Sequence, residues 1–143
     1  MTSPWERDLE RDLKAIVEWG ANAVVTLMEA HEIIQLGVPD LGNRCEALGL
    51  AWFHLPIKDV SIPDAAFESS WKTVGHMLRK ELKQRRGIVI HCRGGLGRTG
   101  LVAARLLIEL GEQPDHALQR VRLVRPGAVE TRQQEEYVLK IKA

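Results

Sequence analysis

The stretch His91-Cys92-Arg93-Gly94-Gly95-Leu96-Gly97-Arg98-Thr99-Gly100 constrains this chain more than any other. Ahead of it, Gly87 is followed by Ile88-Val89-Ile90, a short β-branched run that reads as a buried strand. Behind it, a helix is expected to start near Gly97 and run to Leu110, apolar nearly all round and therefore central. A glycine-rich turn therefore joins a buried strand directly to a buried helix. The first N–H groups of such a helix have no partners within it. The helix dipole adds roughly half a positive charge at the same place. The junction is suited to hold an anion the size of phosphate.

The same alternation runs along the chain. Ser3, Pro4 and Glu6 mark the start of a first helix, with Trp5, Leu9, Leu13, Ile16 and Val17 on one face. Ala23–Leu27 reads as a buried strand, and Glu29–Leu36 and Asp40–Leu48 as short helices stopped by Gly37 and Gly49. Ala51–Leu55 is a second strand, ended by Pro56. A long helix is expected from about Asp64 to Arg85, with Phe67, Trp71, Val74, Leu78 and Leu82 as its buried stripe. Pro114 opens a helix reaching about Val124, and Thr131 with Gln134 forms a capping box for the last one. No repeat or linker interrupts this order, so residues 1–143 are expected to form a single domain. Strands alternating with helices predict an α/β fold with a central, mostly parallel sheet of at least three strands, flanked by helices on both faces. Strand order cannot be read from the pattern.

Composition narrows the partners. Hydrophobic residues make up 45%, enough for an ordinary globular core. Twenty basic side chains face nineteen acidic ones, a net of +1. Any anion site is then local, and neither nucleic acid nor a membrane is expected as a partner. Two cysteines, Cys45 and Cys92, are too few for a disulfide framework. A reduced, cytoplasmic protein is expected, with Cys45 in the core. The start of the chain lacks the pattern of a signal peptide. Arg105 and Glu109 interrupt the greasiest segment, so no run reaches the roughly 18 apolar residues of a membrane span. His31, His54, His76 and His116 lack metal-ligand spacing, and no metal or other cofactor is expected.

Within the cradle, Cys92 lies at the base, where inward N–H groups and the helix dipole favour a nucleophilic thiolate. Arg98 returns one helical turn later with a fork of donors that matches two phosphate oxygens. Arg93, Gly94, Gly95, Leu96 and Gly97 supply the ring of N–H groups, the glycines letting the loop curl inward. Thr99 can hydrogen-bond the sulfur, and His91 can orient the loop through its carbonyls. Taken singly, Cys92 reads as an inert buried thiol and Arg98 as a surface charge. Their ten-residue context decides.

That context resembles the signature of the protein tyrosine and dual-specificity phosphatase superfamily: His91-Cys92, five residues, Arg98, then Thr99 and Gly100. Pro56-Ile57-Lys58-Asp59 with Pro63 resembles its general-acid loop. Arg125–Thr131 with Gln134 resembles its later loop, which positions the hydrolytic water. The whole chain looks closest to the small kinase-associated, cyclin-dependent kinase inhibitor 3-like branch. The resemblance implies a cysteine-phosphatase-type layered domain that hydrolyses phosphate monoesters, phosphotyrosine or phosphoserine and phosphothreonine in proteins. Cys92 would carry a phosphocysteine intermediate, Arg98 would bind phosphate, and Asp59 would serve as general acid and base. A phosphate or sulfate ion is expected in the loop, and no metal is needed.

Alternatives stay open beside this reading. The substrate could be a nucleotide, an RNA end or an inositol phosphate. The chain could bind phosphate without turnover, or carry sulfur as rhodaneses do. Asp64 competes with Asp59 for the acid, but reads better as a helix cap. Glu130 stands where tyrosine-specific members carry a glutamine, so Gln133 or Gln134 takes the water-positioning role, with Gln134 favoured by alignment. Arg93 either draws anions or faces water. Arg120, Arg122 and Arg125 read as a solvated helix face.

Overall fold

A computed structural model describes residues 4–93 and 97–142; within the first helix it describes the side chains of residue 9 and of residues 11 onward. Its elements, in chain order, are α1 (Pro4–Trp19), β1 (Ala21–Thr26), α2 (Ala30–Gln35), α3 (Leu41–Ala47), β2 (Ala51–His54), α4 (Ala65–Lys83), β3 (Gly87–His91), α5 (Gly97–Glu109), α6 (Pro114–Val124) and α7 (Arg132–Leu139). The expected elements are all present, with ends shifted by one or two residues. The Ser3 cap and the side chains of Trp5 and Glu6 lie outside the described residues.

The three strands pair in parallel in the order β2-β1-β3. Alternate side chains of each strand face opposite layers. Val24 joins Leu13, Ile33, Leu41 and Cys45 on one face, while Val25 joins Phe67, Trp71, Leu78 and Leu101 on the other. Ile88 and Ile90 pack with the second cluster and Val89 with the first. Helices therefore cover both faces, as expected, and each buried aliphatic side chain contributes about 1.5–3 kcal/mol.

The helix α5 is central, as its all-round apolarity predicts: Leu101, Val102, Ala104, Leu106 and Ile108 are at most 3% exposed. Its interior charge is answered by neighbours. Arg105 donates through Nη1 to Glu68 (2.8 and 2.9 Å) and to the Tyr137 hydroxyl (2.5 Å), and through Nε to Glu109 (3.0 Å). Glu109 also accepts from the Trp71 indole at 3.0 Å and from Arg79 at 2.6 Å. Burial pushes the Tyr137 phenol well up, so it stays neutral and donates to Glu68. These bonds tie α4, α5 and α7 together.

With β1 in the middle, the connections from it and into β3 run to opposite sides, which opens a crevice at the carboxyl ends of the strands. Backbone bonds continue past the strand ends there. Leu27 N–H donates to His91 O at 3.0 Å, Leu55 N–H to Thr26 O at 2.9 Å, and Ile57 N–H to Leu27 O at 2.9 Å. The segments following all three strands are thus gathered at one edge.

Candidate active site

Cys92 directly follows β3, and Thr99, in the first turn of α5, donates its hydroxyl to Cys92 Sγ at 2.9 Å. Arg98, one residue earlier on that turn, is 1% exposed. Its Nη1 donates to Glu32 Oε2 at 2.7 Å and to Ile57 O at 3.0 Å, and its Nη2 donates to Glu32 Oε1 at 2.9 Å. Asp59 Oδ1 lies 3.4 Å from Nη2. Arg98 Nε has no partner among the described residues. A guanidinium carries five donors in a fixed fork. The edge facing Glu32 is occupied, and the edge formed by Nε and Nη2 remains for a ligand.

Sequence reading did not find Glu32. It lies in the first turn of α2, the helix that follows β1, and its Oε2 also accepts Glu29 N–H at 2.8 Å in a capping box. The hydrogen bond from Arg98 outweighs burial and holds this carboxyl below the usual carboxylate range. Burial in turn works against the Arg98 charge, but Glu32, Asp59 and Cys92 together keep its pKa above the ordinary value. The only early signal was a Glu at a capping position, which reads as a helix start.

Asp59 is exposed and stands beside that guanidinium. Its loop is tightly wound: Val60 N–H donates to Asp59 Oδ1 at 2.9 Å, Ser61 donates to Asp59 O at 3.1 Å, and Val60 sits at φ 51°. A β-branched residue in that region is strained. Asp64 is committed elsewhere, accepting Phe67 N–H at 2.8 Å as the cap of α4.

Gln134 is fully buried. Its Oε1 accepts from Glu130 N–H (3.0 Å) and Thr131 N–H (3.1 Å), and its Nε2 donates to Ser61 O at 2.9 Å. The amide therefore ties the Asp59 loop to the segment before α7. Gly97 has a different task from the inward curl expected of it. It is the first residue of α5, and a Cβ there would lie 2.8 Å from Gln134 Oε1 and 3.1 Å from Glu130. Close approach demands the glycine. Gly94, Gly95 and Leu96 lie outside the described residues, and Arg93 is exposed.

Two further expectations need correction. Arg122 is no solvated charge: its Nε donates to Ala128 O and its Nη2 to Val129 O, both at 3.0 Å, so it clamps the segment after α6. The described partner of the His91 ring is not a loop carbonyl but Thr26 Oγ1, 2.6 Å from Nε2 on the neighbouring strand. Cys45 is fully buried and burial pushes its thiol up to about 11. Both cysteines are free, and they pack against opposite faces of the sheet.

Burial pushes the His91 imidazole down to about 4 from its ordinary 6.5. Between those values the unfolded chain binds a proton that the folded chain does not. Stability contributed by neutral His91 is therefore full above pH 6.5 and is lost as pH falls toward 4. Glu32, whose pKa is depressed, loses its contribution below the carboxylate range, in the same direction. Urea midpoints measured across this interval should fall steadily with acid. A flat profile would contradict a neutral His91.

A family model described as "Tc-R-P: Polymorphic toxin system, DSP-PTPase phosphatase" matches residues 1–112. Cyclin-dependent kinase inhibitor 3 of Rattus norvegicus is 34% identical over 135 residues, covering 92% of this chain and 62% of that protein. The Homo sapiens protein is 33% identical over the same shares. The chain thus spans about 62% of the length of these curated relatives. Among solved structures, kinase associated phosphatase with serine in place of its catalytic-site cysteine superposes with TM-score 0.80 at 31% identity, covering 90% of this chain and 72% of that one. Tk-PTP in its active form gives TM-score 0.74 at 33% identity, covering 98% and 85%.

Proposed function

We propose a phosphatase reaction for this chain from one premise: it belongs to the DSP-PTPase phosphatase family described for polymorphic toxin systems. The reaction is hydrolysis of phosphate monoesters, with phosphoproteins as the substrate class. The names of its relatives, a kinase inhibitor and a kinase associated phosphatase, support a phosphorylated protein as the partner. The observation that carries the reading is the open edge of Arg98. A buried donor without a partner is costly, and among the described residues Nε of Arg98 is such a donor, beside Nη2 and Asp59. A phosphate oxygen pair answers it.

In the first step the Cys92 thiolate attacks phosphorus in line. The bond from phosphorus to the ester oxygen breaks, and the Asp59 carboxyl gives its proton to the departing oxygen. Arg98 and the N–H groups of the loop stabilise the charge on the remaining oxygens. In the second step water attacks the phosphocysteine, and the Asp59 carboxylate takes a proton from it. The S–P bond breaks, and the Thr99 hydrogen bond to Sγ stabilises the departing thiolate. Gln134 and Ser61 hold the acid loop against the start of α5 during both steps. His91 and Arg93 flank Cys92 as supporting groups.

An aryl phosphate assay between about pH 5 and about pH 7 tests the reading, because the acid and the thiolate are both needed there. Absence of turnover would leave only a phosphate-binding module. Asp59→Asn should slow hydrolysis of an alkyl phosphate about 10²–10⁴-fold, and much less for a good leaving group that needs no proton. Equal losses on both substrates would remove Asp59 from the acid role. A panel of phosphopeptides, nucleotides and inositol phosphates then separates protein from non-protein substrates.

A further inference from the structure

The row of residues at the carboxyl edge of the sheet holds a hydrogen-bond chain that the reaction above does not use. Thr26 on β1 is aligned with His54 on β2 and with His91 on β3. Its hydroxyl oxygen accepts from the Trp52 indole Nε1–H at 2.8 Å and lies 2.6 Å from His91 Nε2. We infer that Trp52 and Thr26 are positioning residues: together they fix His91 as the tautomer protonated at Nδ1, so that its N–H donor is presented on the side away from Thr26, at the start of the loop that carries Cys92.

Donor arithmetic leads to this assignment. An indole nitrogen only donates, so Thr26 Oγ1 is the acceptor in the first bond. Thr26 is fully buried and has one hydroxyl hydrogen. Among the described residues the only remaining acceptor in reach of it is His91 Nε2. Were the hydrogen on His91 Nε2 instead, the threonine hydrogen would be buried without a partner, which is unfavourable. The ring is neutral at ordinary pH, because burial disfavours its charged form. It therefore carries one hydrogen, and that hydrogen belongs on Nδ1.

The indole ring is itself held in place by two neighbours. It stacks on His54 with centroids 5.2 Å apart and planes inclined by 20°, and His54 Nε2 bonds Met28 O at 2.7 Å. On α3, a Cβ at Gly42 would lie 2.4 Å from the Trp52 ring, so only glycine leaves room for it. The indole N–H is thereby aimed at one acceptor. Its reach to Cys92 is through Thr26 and His91, not by contact.

The rate readout rests on the phosphatase reading; the tautomer readout does not. Long-range proton–nitrogen correlation spectra at neutral pH distinguish the two neutral tautomers of each histidine. In the wild type, His91 should show its hydrogen on Nδ1. Thr26→Val should abolish that preference and lower kcat on an aryl phosphate roughly tenfold while changing phosphate affinity less. Thr26→Ser, which keeps the hydroxyl, should restore the tautomer and most of the rate. Trp52→Phe should give a mixture of tautomers, because the threonine oxygen can then accept from His91. It stands in if Thr26→Val fails to fold. A wild-type His91 protonated at Nε2, or a tautomer unmoved by both Thr26→Val and Trp52→Phe, overturns the inference. An inactive wild type would sink the phosphatase reading while the spectra still decide this one.

Discussion

Cys92→Ser is expected to abolish turnover, by at least about 10⁴-fold, while leaving the fold and phosphate binding intact. The two parts have different origins. Turnover needs a nucleophile that is also a competent leaving group, and a serine hydroxyl without an adjacent base is neither. Binding needs the open edge of Arg98 and the N–H groups at the start of α5, and neither involves the sulfur. Serine is close in size, and Thr99 can donate to its oxygen as it does to Sγ. Calorimetric titration with inorganic phosphate should therefore give similar affinity for variant and wild type, with no loss of thermal stability. Mass spectrometry of acid-quenched wild type should show a phosphate adduct on Cys92. Residual turnover above about one ten-thousandth of the wild-type rate in the serine variant would mean that another group attacks phosphorus.

How much of this was legible in the sequence depends on the range of the interactions. Cys92, Arg98 and Thr99 lie within eight residues, and a strand-to-helix turn brings them together whatever the rest of the chain does. The superfamily and its kinase-associated branch were readable from that turn and the two loops, and the family match and the relatives bear them out. Glu32 was not readable. Its partner is 66 residues away, and their meeting depends on β1 lying beside β3, an order that local periodicity does not encode. Arg122 was misread for a related reason: it serves backbone carbonyls, and a carbonyl has no residue type to look for. Gln134 shows both sides. Its bonds to Glu130 and Thr131 are a local capping pattern, whereas its bond to Ser61 spans 73 residues and depends on the tertiary fold.

Removing Glu32 is expected to be the most destabilising change at the site. Its side chain is 7% exposed and that of Arg98 1%, so the pair is shielded from solvent and little screened. Breaking a buried pair from one side leaves an uncompensated charge, at a cost of about 3–5 kcal/mol. That is a large share of the roughly 5–15 kcal/mol that holds a domain together. Glu32→Ala adds the lost cap at Glu29; Glu32→Gln keeps the shape and isolates the charge. Both should lower the urea midpoint, and both should weaken phosphate capture, because Arg98 would no longer be held with its Nε and Nη2 edge outward. Inorganic phosphate should then raise the Tm of either variant less than that of the wild type, since a guanidinium that is no longer held in place captures it more weakly. A ligand that binds only the folded state stabilises it the more, the tighter it binds. A Glu32→Gln variant as stable as the wild type, with unchanged response to phosphate, would show that Ile57 O and Asp59 hold Arg98 without the carboxylate.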